Sequence, residues 1–218
     1  MTRLVDLTRP VETGMPTYPG DPDVAVTPHA TQEADGYRVS RLELGTHTGT
    51  HIDAPAHTER DGATLDSFDA ERFRFDARLV DCRGVGANEA IGSEAVPETD
   101  AEMLVFRTGW EAEWGTDRMT EHPYLAPETA ERCADAGYHV GIDALSPDPT
   151  GGNEASDGDA DGHSDESGVP AHHALLGAGL LIVENLTNLG AVPERFELLA
   201  LPLCVDADGA PVRAVARV

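Results

Sequence analysis

The residues with most chemistry in this 218-residue chain lie between His47 and His57, in the stretch HTGTHIDAPAH. It holds three of the nine histidines, together with Asp53 and Gly49. His47 and His51 stand four apart, which on a helix would imitate the zinc motif of metalloproteases. That motif needs a Glu after the first His and helix-compatible residues between, whereas Thr48, Gly49 and Thr50 are weak helix formers and Pro55 favours an extended predecessor. On a helix Asp53 would fall about 240° around from His47. In an extended chain of period 2, His47, Gly49, His51 and Asp53 all share one face. Gly49 is then expected to leave space between the two imidazoles. Two neutral imidazoles and a carboxylate suit Zn²⁺, Mn²⁺ or Fe²⁺. Pro55 is placed to stiffen a turn that returns His57 beside the group. The competing reading is a Thr/His-rich strand and loop with solvated histidines.

A second stretch, HHALLGAGLLIVENL from His172 to Leu186, sets Glu184 after Leu180–Val183, the most apolar run of the chain. A carboxylate at the end of a buried strand is unfavourable unless paired or bound to a metal. His172 and Glu184 can meet at one edge of the core. The alternative is an ion pair of Glu184 with an arginine such as Arg213.

The elements that must position these groups read as interleaved strands and helices. Strand composition marks Arg3–Leu7, Tyr37–Leu44, Leu79–Cys82, Met103–Thr108, Tyr138–Ile142, Leu180–Val183 and Glu197–Leu203. Ala126–Gly137 reads as a helix, with Pro127 near its start and Gly137 as its stop, and Ala171–Ala178 as a shorter one. Asp6–Pro28, with five Pro and two Gly, reads as an ordered, non-helical arm. This alternation predicts an α/β or mixed α+β class in one domain. The exception is Asp148–Gly168, with seven acidic residues and almost nothing apolar, which reads as a disordered or salt-solvated surface insertion. Its DGDADG imitates the start of a calcium loop, but the twelfth position from Asp157 is Gly168 rather than Glu.

Formal net charge is −25, from 40 acidic against 15 basic residues, and all fifteen basic residues are Arg. Such a surface repels phosphates, so nucleic acid is an unsuitable partner. It is tolerable where molar salt cuts the Debye length to roughly 3 Å, and with the missing Lys it predicts a high-salt cytoplasm. No run of about 18 apolar residues or secretory leader is legible, so no membrane partner is expected and a cytoplasmic location is the default. Cys82, Cys133 and Cys204 form no C-x-x-C pair and read as buried, reduced thiols.

Together these stretches resemble the metal-dependent cyclase-like hydrolase family that contains bacterial kynurenine formamidase (arylformamidase) and isatin hydrolase. The resemblance runs through RLVDLTRPVETGMPTYPGDP, HTGTHIDAPAH, FRTGW, GIDALSPD, HHALLGAGLLIVENL and ALPLCVDADGAPVRAV, and is interrupted by the acidic segment at 148–168. It implies a single α/β domain over residues 1–218, built around a mixed, barrel-like sheet with flanking helices (the swivelling β/β/α type), in a homodimer or higher homo-oligomer. It also implies a divalent metal cofactor, either Zn²⁺ (one or two ions) or Mn²⁺. His47, His51 and Asp53 would hold one ion; Asp53, His172 and Glu184 a second. The separation of twelve residues to Glu184 favours His172 over His173. His57 would be the general acid/base. The implied reaction is amide hydrolysis of a small-molecule substrate by metal-activated water, on an aryl formamide such as N-formylkynurenine. The alternatives are a cyclic amide such as isatin, another small amide or lactone, or a non-catalytic metal-binding relative. Tyr18 and Trp110 are candidate aromatic walls of the substrate pocket, with Phe106 more suited to the core.

Overall fold

The computed structural model describes residues 3–151 and 168–218. The interior of the acidic segment, including the calcium-loop imitation, lies outside the described residues.

Nine strands join in one mixed sheet, in the order β1 (Leu4–Asp6), β13 (Val215–Arg217), β11 (Arg195–Leu199), β5 (Arg74–Asp81), β7 (Met103–Arg107), β9 (His139–Ile142), β10 (Ile182–Glu184), β4 (His51–Asp53) and β12 (Gly209–Pro211). The four central strands β5, β7, β9 and β10 are parallel, and the flanking pairs are antiparallel. The sheet cannot be flat. In a flat sheet β13 and β12, second and ninth in order, would lie about 34 Å apart at the usual strand spacing. The chain crosses from Pro211 to Val215 in four residues, which reach at most about 14 Å. The two ends of the sheet therefore curl toward each other into a half-barrel.

Alternation along the strands sorts the core into two layers. Met103 and Val105 of β7 join Val5, Ile52, Phe75, Leu198 and Ala216 in a cluster drawn from edge and central strands alike, which marks it as the concave side. Leu104 and Phe106 face the other way, into a cluster with Val140, Ile142 and Ile182. There α2 (Pro127–Ala136) and α3 (Pro170–Gly177) cover the sheet, burying Ala130, Cys133, Leu175 and Leu176. Strands buried on both faces carry continuous apolar runs, which is why MLVF and LLIV are legible as strands. Helix α2 begins at Pro127 and ends on Gly137 in the left-handed conformation, φ 76°, as its sequence predicts.

Several elements differ from expectation. The proline-rich arm gives way to β2 (Ala25–Ala30), which pairs with β3 (Val39–Glu43) across the one-turn helix α1 (Gln32–Asp35). The strand expected over Glu197–Leu203 stops at Leu199, since Pro202 has no N–H for the ladder and Leu201 and Leu203 are exposed. A further two-stranded parallel sheet joins β6 (Ala90–Ile91) to β8 (Tyr124–Leu125). Cys82 and Cys133 are buried, and burial pushes both thiols up to about 12. Cys204 is exposed, contrary to expectation, because it follows β11 in that outward loop. No described helix is long and apolar enough to cross a membrane.

Candidate active site

The site is assembled on β4. Only His51–Asp53 of the histidine-rich stretch is strand, and its register sets Glu184 of β10 opposite His51 and Gly209 of β12 opposite Asp53. Ile52 turns into the concave core, so His51 and Asp53 share the other face, beside α3. The period-2 reading extends no further toward the N-terminus, because Gly49 takes a left-handed φ of +61°. It breaks the extended chain at that point, and His47 reaches the group from a turn. Gly49 does not open a gap between the imidazoles. A Cβ there would meet Met15 Cε at 2.9 Å, and the glycine serves the bend. His47 instead packs over Gly209, where a Cβ would stand 2.8 Å from its Cε1.

The five groups expected as ligands converge. His51 Nε2 lies 3.2 Å from both Asp53 Oδ1 and Glu184 Oε2. His47 Nδ1 is 2.8 Å from Asp53 Oδ1. His172 Nε2 is 3.3 Å from Glu184 Oε1 and 3.8 Å from Asp53 Oδ2. Asp53 thus belongs to two groupings, one with His47 and His51 and one with His172 and Glu184. Although so close, His51 Nε2, Asp53 Oδ2 and Glu184 Oε1 are buried without a hydrogen-bond partner. The ligand atoms of each grouping nonetheless lie within 4.8 Å of one another. Buried polar atoms are almost always satisfied, and three orphans in one cluster fit a cation between them.

The opposite nitrogen of each imidazole is held. His47 Nε2 lies 2.9 Å from Asp208 Oδ2, and His51 Nδ1 2.8 Å from Gly49 O. His172 Nδ1 lies 2.7 Å from Asp148 Oδ2. This is how metal-binding histidines are oriented. Asp148 also accepts from the backbone N–H of Ala171 and His172, capping the first turn of α3 and fixing the helix that carries His172. His173 points elsewhere, 3.0 Å from Glu59, so the structure brings His172 and not its neighbour to the group. Arg213 pairs with Asp6 and leaves Glu184 to the histidines.

The electrostatics are those of a cluster of ionised carboxylates. Burial opposes charge on Asp53, but His51 and His47 outweigh it and hold the group well below its ordinary range. For Glu184, burial and Asp53 raise the value, and His172 and His51 bring it down on balance. Burial alone would lower His172; the hydrogen bond to Asp148 and the adjacent carboxylates of Glu184 and Asp53 instead push it up to about 10.

His57 enters on a 3-10 turn over Pro55–His57, as the proline predicts. Its ring centroid stands 4.0 Å from that of His47 and 5.4 Å from that of His172. Burial draws it below the ordinary imidazole value. A cavity of about 200 Å³ opens over the group, and His57, Tyr18, Asp21, Leu145, Ser146 and Asn185 are among its lining residues. The N-terminal arm therefore supplies part of the pocket rim through Tyr18 and Asp21. Trp110, the other aromatic candidate, is not in that lining. It follows Gly109 in a left-handed turn, donates from Nε1 to Arg118 O, and lies under the Arg118 guanidinium. Phe106 is fully buried in the outer core layer.

Asp208, Gly209 and Asp148 are parts of the site that the sequence left unmarked. Their only signal is position inside ALPLCVDADGAPVRAV and GIDALSPD.

The Cyclase family matches residues 5–149. The kynurenine formamidase of Salinibacter ruber (strain DSM 13855 / M31) is 38% identical over 226 residues, covering 98% of this chain and 97% of that protein. A structure described as a potential metal-dependent hydrolase with cyclase activity superposes with a TM-score of 0.76 at 30% identity, covering 100% of this chain and 98% of the other. An isatin hydrolase bound to the product analogue thioisatinate superposes with a TM-score of 0.86, covering 100% and 92%. At 22% identity it speaks to the fold alone.

Proposed function

The chain belongs to the Cyclase family of metal-dependent hydrolases, and from that premise we propose that it cleaves the formamide C–N bond of an aryl formamide such as N-formylkynurenine. The observation that carries this reading is the trio of buried orphan atoms on His51, Asp53 and Glu184, backed by histidines whose other nitrogens are already tied.

In this reading His47, His51 and Asp53 would hold one divalent metal, and Asp53, His172 and Glu184 a second. Mixed imidazole and carboxylate donors suit Zn²⁺ or Mn²⁺. Such a metal, when bound, lowers the pKa of water toward about 7 and polarises the carbonyl. His57, beside the group and in the pocket wall, takes the proton from the attacking water and returns it to the departing nitrogen. The C–N bond breaks, and formate and the free amine leave. Tyr18 supplies an aromatic wall, and its hydroxyl, raised by burial, stays protonated. The protein would act as one hydrolase domain over 1–218 with an acidic insertion at about 148–168, as a homodimer in a high-salt cytoplasm.

A second reading is an isatin-type cyclic amide. The described lining residues of the pocket include no Arg, so a neutral substrate needs no counter-charge from them. The two readings separate in one experiment. Metal-loaded protein in molar KCl is given N-formyl-L-kynurenine and isatin in parallel. Kynurenine release at the higher kcat/KM supports the first reading; preferential opening of isatin replaces it with the second.

A further inference from the structure

Asp208 lies in the loop before β12, and one of its oxygens meets two histidines. Oδ2 stands 2.9 Å from His47 Nε2 and 3.2 Å from His57 Nδ1. A carboxylate only accepts, so each imidazole nitrogen facing it carries the proton. The backbone that carries the carboxylate is itself fixed. The backbone oxygen of Asp208 accepts from Ala54 N–H at 2.8 Å, directly after β4, and Ala207 O accepts from Leu65 N–H at 3.0 Å. Gly209 beside it lets the His47 ring approach within contact distance. The geometry is therefore that of an orienting carboxylate behind an acid/base histidine, with a candidate metal ligand held by the same oxygen.

We propose that Asp208 is the positioning residue of the acid/base: it holds His57 in the tautomer protonated at Nδ1 and leaves Nε2 as the nitrogen that exchanges protons with the substrate. Free imidazole side chains favour no such arrangement strongly, so a single acceptor at Nδ1 decides the tautomer. The kinetic half of this inference rests on the role given to His57 above; the tautomer half does not. Sharing Oδ2 between His47 and His57 also ties the orientation of the proton-transfer group to that of the candidate ligand. A shift of one ring is transmitted to the other through a single atom.

The test uses the full chain, zinc-loaded, in molar KCl. Long-range ¹H–¹⁵N correlation spectra of the histidine rings are recorded for the native protein, Asp208→Ala and Asp208→Asn. His57 is expected as the Nδ1–H tautomer in the native protein, as a mixture dominated by Nε2–H in Asp208→Ala, and largely restored in Asp208→Asn, whose amide oxygen still accepts. A His57 that stays Nδ1–H in Asp208→Ala overturns the proposal without reference to any substrate.

The kinetic arm is a double-mutant cycle with His57→Ala on formamide hydrolysis. Asp208→Ala is expected to lower kcat about 10- to 100-fold with KM within about twofold and the zinc content per chain unchanged at saturating zinc, on the scale of losses for outer groups that orient a catalytic one. In the His57→Ala background the same substitution is expected to cost nothing further. Losses that multiply across the cycle, or loss of zinc from Asp208→Ala, assign the residue to His47 and the metal instead, and overturn the proposal. If His57→Ala itself leaves kcat intact, the role given to His57 fails, and the ring spectra still decide what Asp208 does.

Discussion

Asp53 is the residue on which the site turns. It is fully buried, and its two oxygens serve two groupings of ligands. Around it, a buried His51 and Glu184 leave polar atoms without partners, an arrangement that is costly unless a cation occupies the space between them. His57 is the most exposed of the four histidines, tied at Nδ1 and lining the pocket. Replacing it with Ala is expected to reduce kcat by roughly 10²- to 10⁴-fold, the range for a lost acid/base, with metal content per chain unchanged by elemental analysis. Loss of metal would show that His57 is a ligand. Gly209 offers an independent probe. A methyl group there would stand 2.8 Å from the His47 ring, which is held on both sides and has little freedom to retreat. Gly209→Ala is expected to weaken metal affinity by about tenfold or more, the scale seen when the support of a ligand is disturbed. Competition with a chromophoric chelator measures it, and unchanged affinity would mean His47 does not bind metal. These residues were unequally legible. His47, His51, Asp53 and His57 lie within eleven positions, and local spacing shows them. Asp208 lies 151 positions from His57 and is one of 40 acidic residues. Only sheet register brings it to the site.

At the scale of elements, β4 is three residues long and gains its position from both neighbours. Its register with β10 places Glu184 opposite His51, and its register with β12 brings the Asp208–Gly209 corner against His47. A one-residue slip would turn these side chains to the other face. The sequence showed the apolar strands β7, β9 and β10 because burial on both faces leaves a continuous hydrophobic run. It did not show β12 and β13, whose short segments rest on pairing rather than composition. The join of β9 to β10 carries its own pH dependence. His139 is buried, and its Nδ1 accepts from Leu181 N–H at 2.8 Å, so that nitrogen cannot hold a proton without losing the bond. Burial lowers its pKa to about 3. In the unfolded chain the group titrates near the ordinary value of about 6.5. Between those values the unfolded state binds the extra proton, so the contribution is full above about pH 6.5 and falls away as pH drops toward 3. Its size is on the order of a few kcal/mol. Urea melts from pH 7.5 to 4.5 are expected to lose stability progressively, and His139→Gln to flatten that slope while lowering stability at pH 7.5. An equal slope in the variant would assign the acid sensitivity to other groups.

At the scale of the whole molecule, the curl of the sheet was legible only through resemblance. Composition and periodicity indicate interleaved strands and helices, whereas closure follows from a four-residue crossing between distant strands, which no local pattern records. Charge was directly legible. With a net charge of −25 and no Lys, self-repulsion opposes folding wherever salt is scarce. The melting temperature is expected to rise steeply from low to molar KCl, as the Debye length falls from about 30 Å at 0.01 M to about 3 Å at 1 M. A flat melting curve over that range would remove the case for a high-salt protein.

The most direct test of the metal-hydrolase reading is hydrolysis of N-formyl-L-kynurenine by protein stripped with a chelator, then reloaded with Zn²⁺ or Mn²⁺, in molar KCl. Expected is no kynurenine from the stripped protein and restored release on reloading, with Glu184→Gln failing to recover. Full activity in stripped, metal-free protein would contradict the assignment of His47, His51, Asp53, His172 and Glu184 to a catalytic metal centre.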